Sequence, residues 1–312
     1  MLRYAILKLL YAVPTLLAVL ALVFALTRII PGDPAQLILG DQATPQAIAA
    51  LRAELGLDKP LWAQFLDFVA GILHGDFGTS IVTGTSVRSL VADVLPATLE
   101  LTVASLLIGA VIGVPAGAWA AVHRNGIPDI VSRLASLIGL SLPAFVFGIL
   151  LLIVFAVKLG WFPVISAPGD GGLLGRLRAL VLPAFTLGIL MAAYITRVTR
   201  SSMLQVLGED FIRTARAKGV PWWRIVRRHA LRNAIIPVAT VVGLYLGVLI
   251  GNSVLTEIVF NRPGLGKLIV GALAQRDYPV LQGLMVLYTL LIVIANLLTD
   301  LAYGALDPRV RY

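Results

Sequence analysis

The chain has 312 residues, of which 59% are hydrophobic and only 13% charged, and its mean hydropathy is +0.93. A soluble domain has roughly a quarter of its residues charged, so this composition excludes a soluble globular protein and indicates an integral membrane protein. The net charge is +9, but no basic stretch alternates with aromatic residues in a soluble module, which disfavours nucleic-acid binding. Cysteine is absent, which excludes disulfides and thiolate metal sites.

Six apolar segments of about 20 residues follow one another, and this is the length that a helix needs to cross ~30 Å of hydrocarbon. Because no strand-like alternation competes with them, the sequence predicts an all-α polytopic membrane protein. The predicted spans are Leu9–Ile30, Ala97–Ala121, Leu134–Val157, Leu180–Arg200, Pro237–Ile258 and Leu281–Tyr303. The first exceeds the usual core of a signal peptide, so we expect it to remain in the protein.

Residues 31–95 form the one sizeable segment outside the predicted spans, and acidic residues outnumber basic ones in it, as expected outside the cytoplasm. Helical periodicity predicts helices over Pro45–Leu55 and Leu61–Leu73. The second helix either lies on the membrane face, caps a pore mouth or simply packs as part of a surface pair. We therefore expect a transmembrane helix over 1–30, this segment, a membrane domain over 96–304 and a cytoplasmic tail over 305–312.

Basic residues concentrate between the fourth and fifth predicted spans, in a loop over residues 201–236 and the turn before it. They are Arg197, Arg200, Arg213, Arg216, Lys218, Arg224, Arg227, Arg228 and Arg232. This bias marks a cytoplasmic loop. An even number of spans then predicts cytoplasmic N- and C-termini, in agreement with the basic residues near both ends of the chain.

A short amphipathic helix is predicted inside this loop. Apolar residues recur at spacings of three, four and four, at Leu204, Leu207, Phe211 and Ala215. Glu209 and Asp210 suit the first turn of the helix, and Glu209 lies four residues before Arg213, which is the spacing of an ion pair. Gly219, followed by Pro221, ends the helix.

Two interpretations of this helix remain open. In the first it inserts into a groove on a partner protein. In the second it rests on anionic lipid, with anchors at Trp222, Trp223, Arg227, Arg228 and Arg232. The candidate coupling residues are Glu209, Asp210, Phe211, Arg213, Thr214, Ala215, Arg216, Ala217, Lys218 and Gly219.

The residues offer no catalytic, nucleotide or metal site. Gly264–Leu268 comes nearest to a phosphate loop, but Asn261 replaces its first glycine and Leu268 offers no hydroxyl to Mg²⁺. Protease and lipase motifs are missing, and the three histidines lie in three separate segments. We expect a protein that is not an enzyme and binds no cofactor or metal of its own.

Residues that line a transport pathway are harder to infer. Small residues recur every four positions at Gly109, Gly113 and Gly117 in span two, and at Gly243, Gly247 and Gly251 in span five. Close helix packing explains both runs better than a gate does. The candidate pathway or gate residues are Gly243, Gly247, Gly251, Asn252, Ser253 and Glu257. Asp300 is the one acid inside a predicted span, where a structural partner explains it as well as a substrate does.

Sequence runs distributed along nearly the whole chain resemble permease subunits of binding-protein-dependent ABC importers, in the dipeptide and oligopeptide branch. They are Glu209–Gly219, His229–Ala234, Pro237, Pro31–Pro34, Glu54–Asp58, Gly75–Gly78, Ala97–Leu101, Thr199–Met203, Arg262–Gly266, Arg276–Pro279 and Asp307–Arg311. The resemblance implies a six-span type I importer fold in a bacterial inner membrane. It also implies a second permease subunit, two cytoplasmic ATPase subunits that bind ATP and Mg²⁺, and an extracytoplasmic solute-binding protein.

Two departures from the family pattern bear on this resemblance. Arg213, Thr214, Ala215 and Gly219 occupy the places of a Glu-Ala-Ala-x-x-x-Gly pattern, so its Glu is missing, as is common in the peptide branch. The loop Gly160–Ala179 is shorter than in dipeptide permeases.

Peptides are the expected cargo, with glutathione, opines and nickel as further cargoes of similar permeases. A secondary transporter or channel and a lipid-facing membrane anchor are the competing hypotheses.

Overall fold

The computed structural model describes residues 2–29, 34–40, 44–54, 56–164 and 172–306. Over these ranges the chain is helical, and its only β-pairing is a bridge between Thr79 and Ser86. The helices are α1 (Leu2–Ile29), α2 (Pro34–Leu39), α3 (Pro45–Glu54), α4 (Leu61–Leu73), α5 (Val87–Val122), α6 (Ile127–Ser141), α7 (Ala144–Leu151), α8 (Gly172–Leu207), α9 (Asp210–Ala217), α10 (Trp222–Arg224), α11 (Leu231–Val259), α12 (Leu265–Ala274) and α13 (Tyr278–Leu306). The all-α prediction is confirmed, while Pro31–Asp33, Leu55 and the tail over 307–312 lie outside the described residues.

Four helical stretches in the described ranges are long and apolar enough to cross a membrane. They are Val87–Val122, Gly172–Leu207, Trp222–Val259 and Tyr278–Leu301. They cover the predicted second, fourth, fifth and sixth spans. α1 covers most of the first predicted span, but the apolar stretch identified within it, Val13–Ala25, is shorter than a full span. The count of six spans therefore stays a prediction.

The predicted third span, Leu134–Val157, is not one continuous helix. α6 ends at Ser141, and the helix that resumes at Ala144 and continues as a π-helical segment to Lys158 is bent by 100° from it. The cause is Pro143, because proline disfavours helical backbone in the residue before it. Leu142 accordingly takes extended angles, with φ −89° and ψ 130°.

The chain divides into two compact units, of which the first comprises Met1–Ala5, Pro96–Lys267 and Ile294–Tyr312. Its central element is α8, which packs against α6, α7 and α11. α5 also approaches α8 closely, because Gly109, Gly113 and Gly117 present no side chain there. A Cβ added at Gly113 would lie 2.7 Å from Ile195 Cβ, so this run of small residues packs the helices together as expected.

The second unit comprises Ile6–Leu95 and Leu268–Val293. α4 packs on α1 through Phe65, whose ring lies 5.5 Å from that of Phe24 in an edge-to-face arrangement. Asp277 holds the segment before α5, because its carboxylate accepts hydrogen bonds from the Ser80 hydroxyl and from the Ile81 amide at 3.2 Å. Helices α3 and α4 lie where the sequence predicts them.

Candidate functional site

The short helix α9 follows α8 after a single break. α8 ends at Leu207, and the backbone of Glu209 is extended, with φ −72° and ψ 151°, before α9 begins at Asp210. Gly208 is thus the break that the sequence predicts. The Glu209 carbonyl accepts the amides of Ile212 and Arg213, so Glu209 caps the helix through its backbone.

Gly219 ends α9 in the left-handed conformation, with φ +73°. Its amide donates to the Arg216 carbonyl at 2.9 Å, and the Val220 amide donates to the Ala215 carbonyl at 3.1 Å. These bonds satisfy carbonyl groups that a helix end leaves open. Pro221 then caps α10, so the predicted helix stop is confirmed.

The buried side of α9 packs on its own chain. Ile212 is 1% exposed and belongs to an apolar cluster whose other buried members are Ala121, Met203, Ile225, Ala230 and Ala234. Ala215, Leu204 and Leu207 are partly buried against the same cluster. The apolar stripe inferred from the sequence therefore faces the protein's own core at these three positions, and Ile212, which the stripe omits, is almost fully buried beside it.

The exposed side of α9 carries one aromatic side chain with basic residues beside it. Phe211 is 44% exposed, and Arg213, Arg216 and Lys218 are all exposed beside it. Arg213 pairs with Asp210 at 3.1 Å rather than with Glu209, the partner expected from helical spacing. The Arg216 guanidinium lies 4.2 Å from the centre of the Trp222 ring. Thr214 and Ala217 are exposed on the same helix.

The side chains proposed as lipid anchors are also at the surface. Trp222 and Trp223 are exposed, and so are Arg227, Arg228 and Arg232. Arg224 lies over the Trp223 ring, 5.4 Å from its centre. The basic surface therefore extends beyond α9 along the start of the next helical stretch.

The candidate pathway residues separate into buried and exposed groups. Gly243 lies against Thr299, and its lack of a side chain permits that contact. Ser253 is buried and donates to the Ile250 carbonyl at 2.8 Å. Gly251 and Asn252 are exposed, and Gly247 is half-buried. Gly251 and Asn252 are thus the members of the group that present an open surface.

Glu257, the last candidate pathway residue, is fully buried inside the first unit. Its carboxylate accepts the Gly266 amide at 2.8 Å and the Lys267 amide at 3.2 Å. The start of α12 is therefore held by a carboxylate, which also suits the positive end of the helix dipole. Gly264 is required beside it, because a Cβ at that position would overlap the Glu257 carboxyl group.

One buried ion pair was not predicted from the sequence. Asp129, in the first turn of α6, has no exposed side-chain surface and accepts two hydrogen bonds from Arg200 of α8. The distance from Arg200 Nη2 to Asp129 Oδ2 is 2.8 Å. The one indication of this pair in the sequence is Asp129 itself, because it is the only carboxylate between Glu100 and Asp170.

Comparison with protein families gives two matches that together cover nearly the whole chain. Residues 113–312 match the family described as binding-protein-dependent transport system inner membrane component. Residues 1–102 match the N-terminal family of the same membrane components.

Curated relatives match over their full length. The chain is 45% identical over 312 residues to the glutathione transport system permease protein GsiC of Salmonella choleraesuis (strain SC-B67), and 44% identical to that of Escherichia coli (strain K12), with 100% of each chain covered. Among solved structures, an inward-facing conformation of the MetNI methionine ABC transporter matches with a TM-score of 0.58 at 24% identity. That match covers 70% of this chain and 96% of the other, and it supports the type I permease fold.

Proposed function

Because the chain belongs to the family of inner membrane components of binding-protein-dependent transport systems, we propose that it forms half of an import pathway for glutathione and similar short peptides. The family itself establishes a permease of an ABC importer in the bacterial inner membrane. The peptide cargo is supported by 45% identity, without a gap in coverage, to glutathione permeases.

The proposed complex contains a second permease, two ATPase subunits and an extracytoplasmic solute-binding protein. A dependence on a binding protein is part of the family description. ATP and Mg²⁺ are assigned to the ATPase subunits, because the sequence of this chain lacks a phosphate loop. The permease then converts ATPase closure into a rearrangement of its spans.

The packing of Ile212 is the observation that carries the proposed coupling. The apolar cluster around Ile212 includes Met203 from α8 and Ala234 from α11, so α9 is fastened to two membrane helices at once. A push on the exposed side of α9 would therefore reach both spans through close-packed side chains, which transmit displacement. We assign Phe211 to a groove on the ATPase, with Arg213, Arg216 and Lys218 meeting acidic groups at its rim.

Uptake by the reconstituted complex tests this function. The chain is copurified with its partner permease and ATPase subunits and placed in liposomes containing ATP, with the binding protein outside. Radiolabelled glutathione, a dipeptide, an opine and Ni²⁺ are compared. We expect ATP-dependent uptake of glutathione. Uptake without ATP would support the secondary transporter, and uptake of Ni²⁺ or the opine alone would reject a peptide cargo.

A further inference from the structure

A cavity of about 470 Å³ lies between α6 and α8 in the first unit. This volume falls within the usual range of sites for small ligands, roughly 300–1,000 Å³. Its lining includes three arginines, the serines Ser132, Ser136 and Ser201, and two leucines. Thr196 also lines it, but its hydroxyl donates to the Gly113 carbonyl of α5 at 3.3 Å.

The arginines leave this cavity with an excess of positive charge. Arg200 is held by two hydrogen bonds to Asp129, which also accepts the Asn125 amide at 2.9 Å. Arg133 Nε lies 3.6 Å from Asp129, too far for a hydrogen bond. Within the described ranges Arg197 has neither an ion pair nor a side-chain hydrogen bond. The cavity thus has three guanidinium groups and one carboxylate beside it, so two positive charges remain.

The position of Arg197 requires a polar neighbour. Arg197 is the one exposed residue of α8 between Leu182 and Arg200, a stretch that lies in a predicted membrane span. It lies three residues before the cytoplasmic end of the predicted span Leu180–Arg200, which is about 5 Å along a helix. Charged side chains inside a span usually face a water-filled path, a polar partner or a ligand, and seldom lipid tails.

We propose that this cavity binds a carboxylate of the imported peptide on its way toward the α9 end of the membrane domain. This inference rests on the proposed peptide cargo. A guanidinium group presents paired N–H donors that match the two oxygens of a carboxylate, and the hydroxyls add further donors. Glutathione is anionic near neutral pH because it carries more carboxylates than amino groups. Arg133 and Arg197 bind the anion, while Asp129 positions Arg200 beneath them.

A phosphate of an anionic lipid offers the same chemistry as the carboxylate of the cargo. The experiment below distinguishes the peptide from the lipid by changing the lipid composition of the liposomes.

The test compares an Arg133→Gln, Arg197→Gln double variant with Arg178→Gln, an exposed arginine of α8 outside the cavity. Each is assembled with its partners in liposomes of phosphatidylcholine, with and without phosphatidylglycerol. At saturating binding protein, we expect the double variant to import glutathione at least about tenfold more slowly in both lipids, since charged hydrogen bonds are lost. Arg178→Gln should import it at the wild-type rate and hydrolyse ATP without cargo as the wild-type protein does, while copurification of the ATPase subunits checks that the double variant assembles.

A second readout is the binding of glutathione to the same complex, measured without the solute-binding protein. Radiolabelled glutathione should bind the wild-type complex in phosphatidylcholine and lose binding in the double variant. Normal uptake by the double variant would overturn the inference, and so would an effect confined to phosphatidylglycerol, which would identify a lipid site. If the wild-type complex imports no glutathione, the proposed cargo is wrong. Binding of another anionic peptide by the wild-type complex and the double variant then decides whether the cavity recognises carboxylates.

Discussion

The Thr98 hydroxyl donates a hydrogen bond of 2.7 Å to Glu257, and so joins α5 to the end of α11 where neither side chain is exposed. The same hydroxyl oxygen accepts the Leu265 amide at 2.9 Å. α5 therefore meets the end of α11 and the nearby start of α12 at one buried carboxylate, across 159 positions of sequence. Thr98, Gly266 and Lys267 all donate to it, so the carboxylate is matched by its surroundings although it is buried.

Glu257→Ala should destabilise the protein by about 3 kcal/mol, because it leaves buried amides without an acceptor. Glu257→Gln should cost less, since its amide oxygen still accepts the Gly266 and Lys267 amides while its NH₂ group faces Thr98. The melting temperatures of the detergent-solubilised variants measure this order. Equal melting of the alanine and wild-type proteins would show that the carboxylate does not hold α12.

Gly113→Ala should destabilise the packing of α5 on α8 by about 1–3 kcal/mol, because the new Cβ meets Ile195 and the Ala192 carbonyl. Gly251→Ala is the matched control, since nothing lies within 4 Å of a Cβ at that membrane position. Thermal unfolding of the two variants side by side separates close packing from a general effect of removing a glycine. Similar melting temperatures would contradict the contact.

Gly219→Val should uncouple ATP hydrolysis from transport, because φ +73° strains a β-branched residue by roughly 1–3 kcal/mol and misdirects the turn. No atom lies within 4 Å of the added Cβ, so backbone strain and not a clash is responsible. Asn tolerates this conformation, so Gly219→Asn should keep most of the transport activity. The ratio of cargo imported to ATP hydrolysed is the measurement, and wild-type coupling in Gly219→Val would exclude a role for the turn.

Two neighbouring residues of α9 should give opposite results. Ile212→Ala removes a fully buried side chain and should lower stability by about 2–5 kcal/mol. Phe211→Ala changes a side chain at the surface, so it should melt normally but lose cargo-dependent ATP hydrolysis and ATPase binding. Stability is followed by thermal unfolding and assembly by copurification. If Phe211→Ala retains both ATPase binding and transport, α9 acts as a lipid anchor instead.

Reporter fusions test the predicted orientation of the chain. A reporter after Gly40 or Arg88 should be outside the cytoplasm, and one after Gly219 or Tyr312 inside, because basic loops stay on the cytoplasmic side. Paired alkaline phosphatase and fluorescent protein fusions at each position read both sides. A cytoplasmic signal from position 40 would reject the six-span arrangement.

The sequence predicts the helical elements well where one periodic pattern dominates. α4 and α9 appear where apolar residues recur at helical spacing, and Gly208 and Gly219 bound α9 as turn chemistry demands. The bend before α7 was missed because the apolar run continues across Leu142 and Pro143 without a change in composition. Hydropathy reports how apolar a segment is. It does not report that a proline within the segment can end one helix and change the direction of the next.

The position of helix α9 was predicted from the sequence, but its packing was not. A single helix pattern identifies which residues share a face, but it does not tell whether a partner or the chain's own core covers that face. Ile212 and Ala215 meet the chain itself, while Phe211 remains at the surface. The pairing of Asp129 with Arg200 was missed for a related reason, since the two residues are 71 positions apart and only tertiary structure brings them together.

The bend at Leu142 also limits what can surround this part of the chain in a bilayer. Part of the backbone there is paired, because the Ile138 carbonyl accepts the Leu142 amide and the Pro143 carbonyl accepts the amides of Val146 and Phe147. A helix end leaves further carbonyls and amides open, and hydrocarbon offers such groups no hydrogen bonds. The groups left open at the bend therefore need protein or water beside them, which a neighbouring subunit or a hydrated passage would supply.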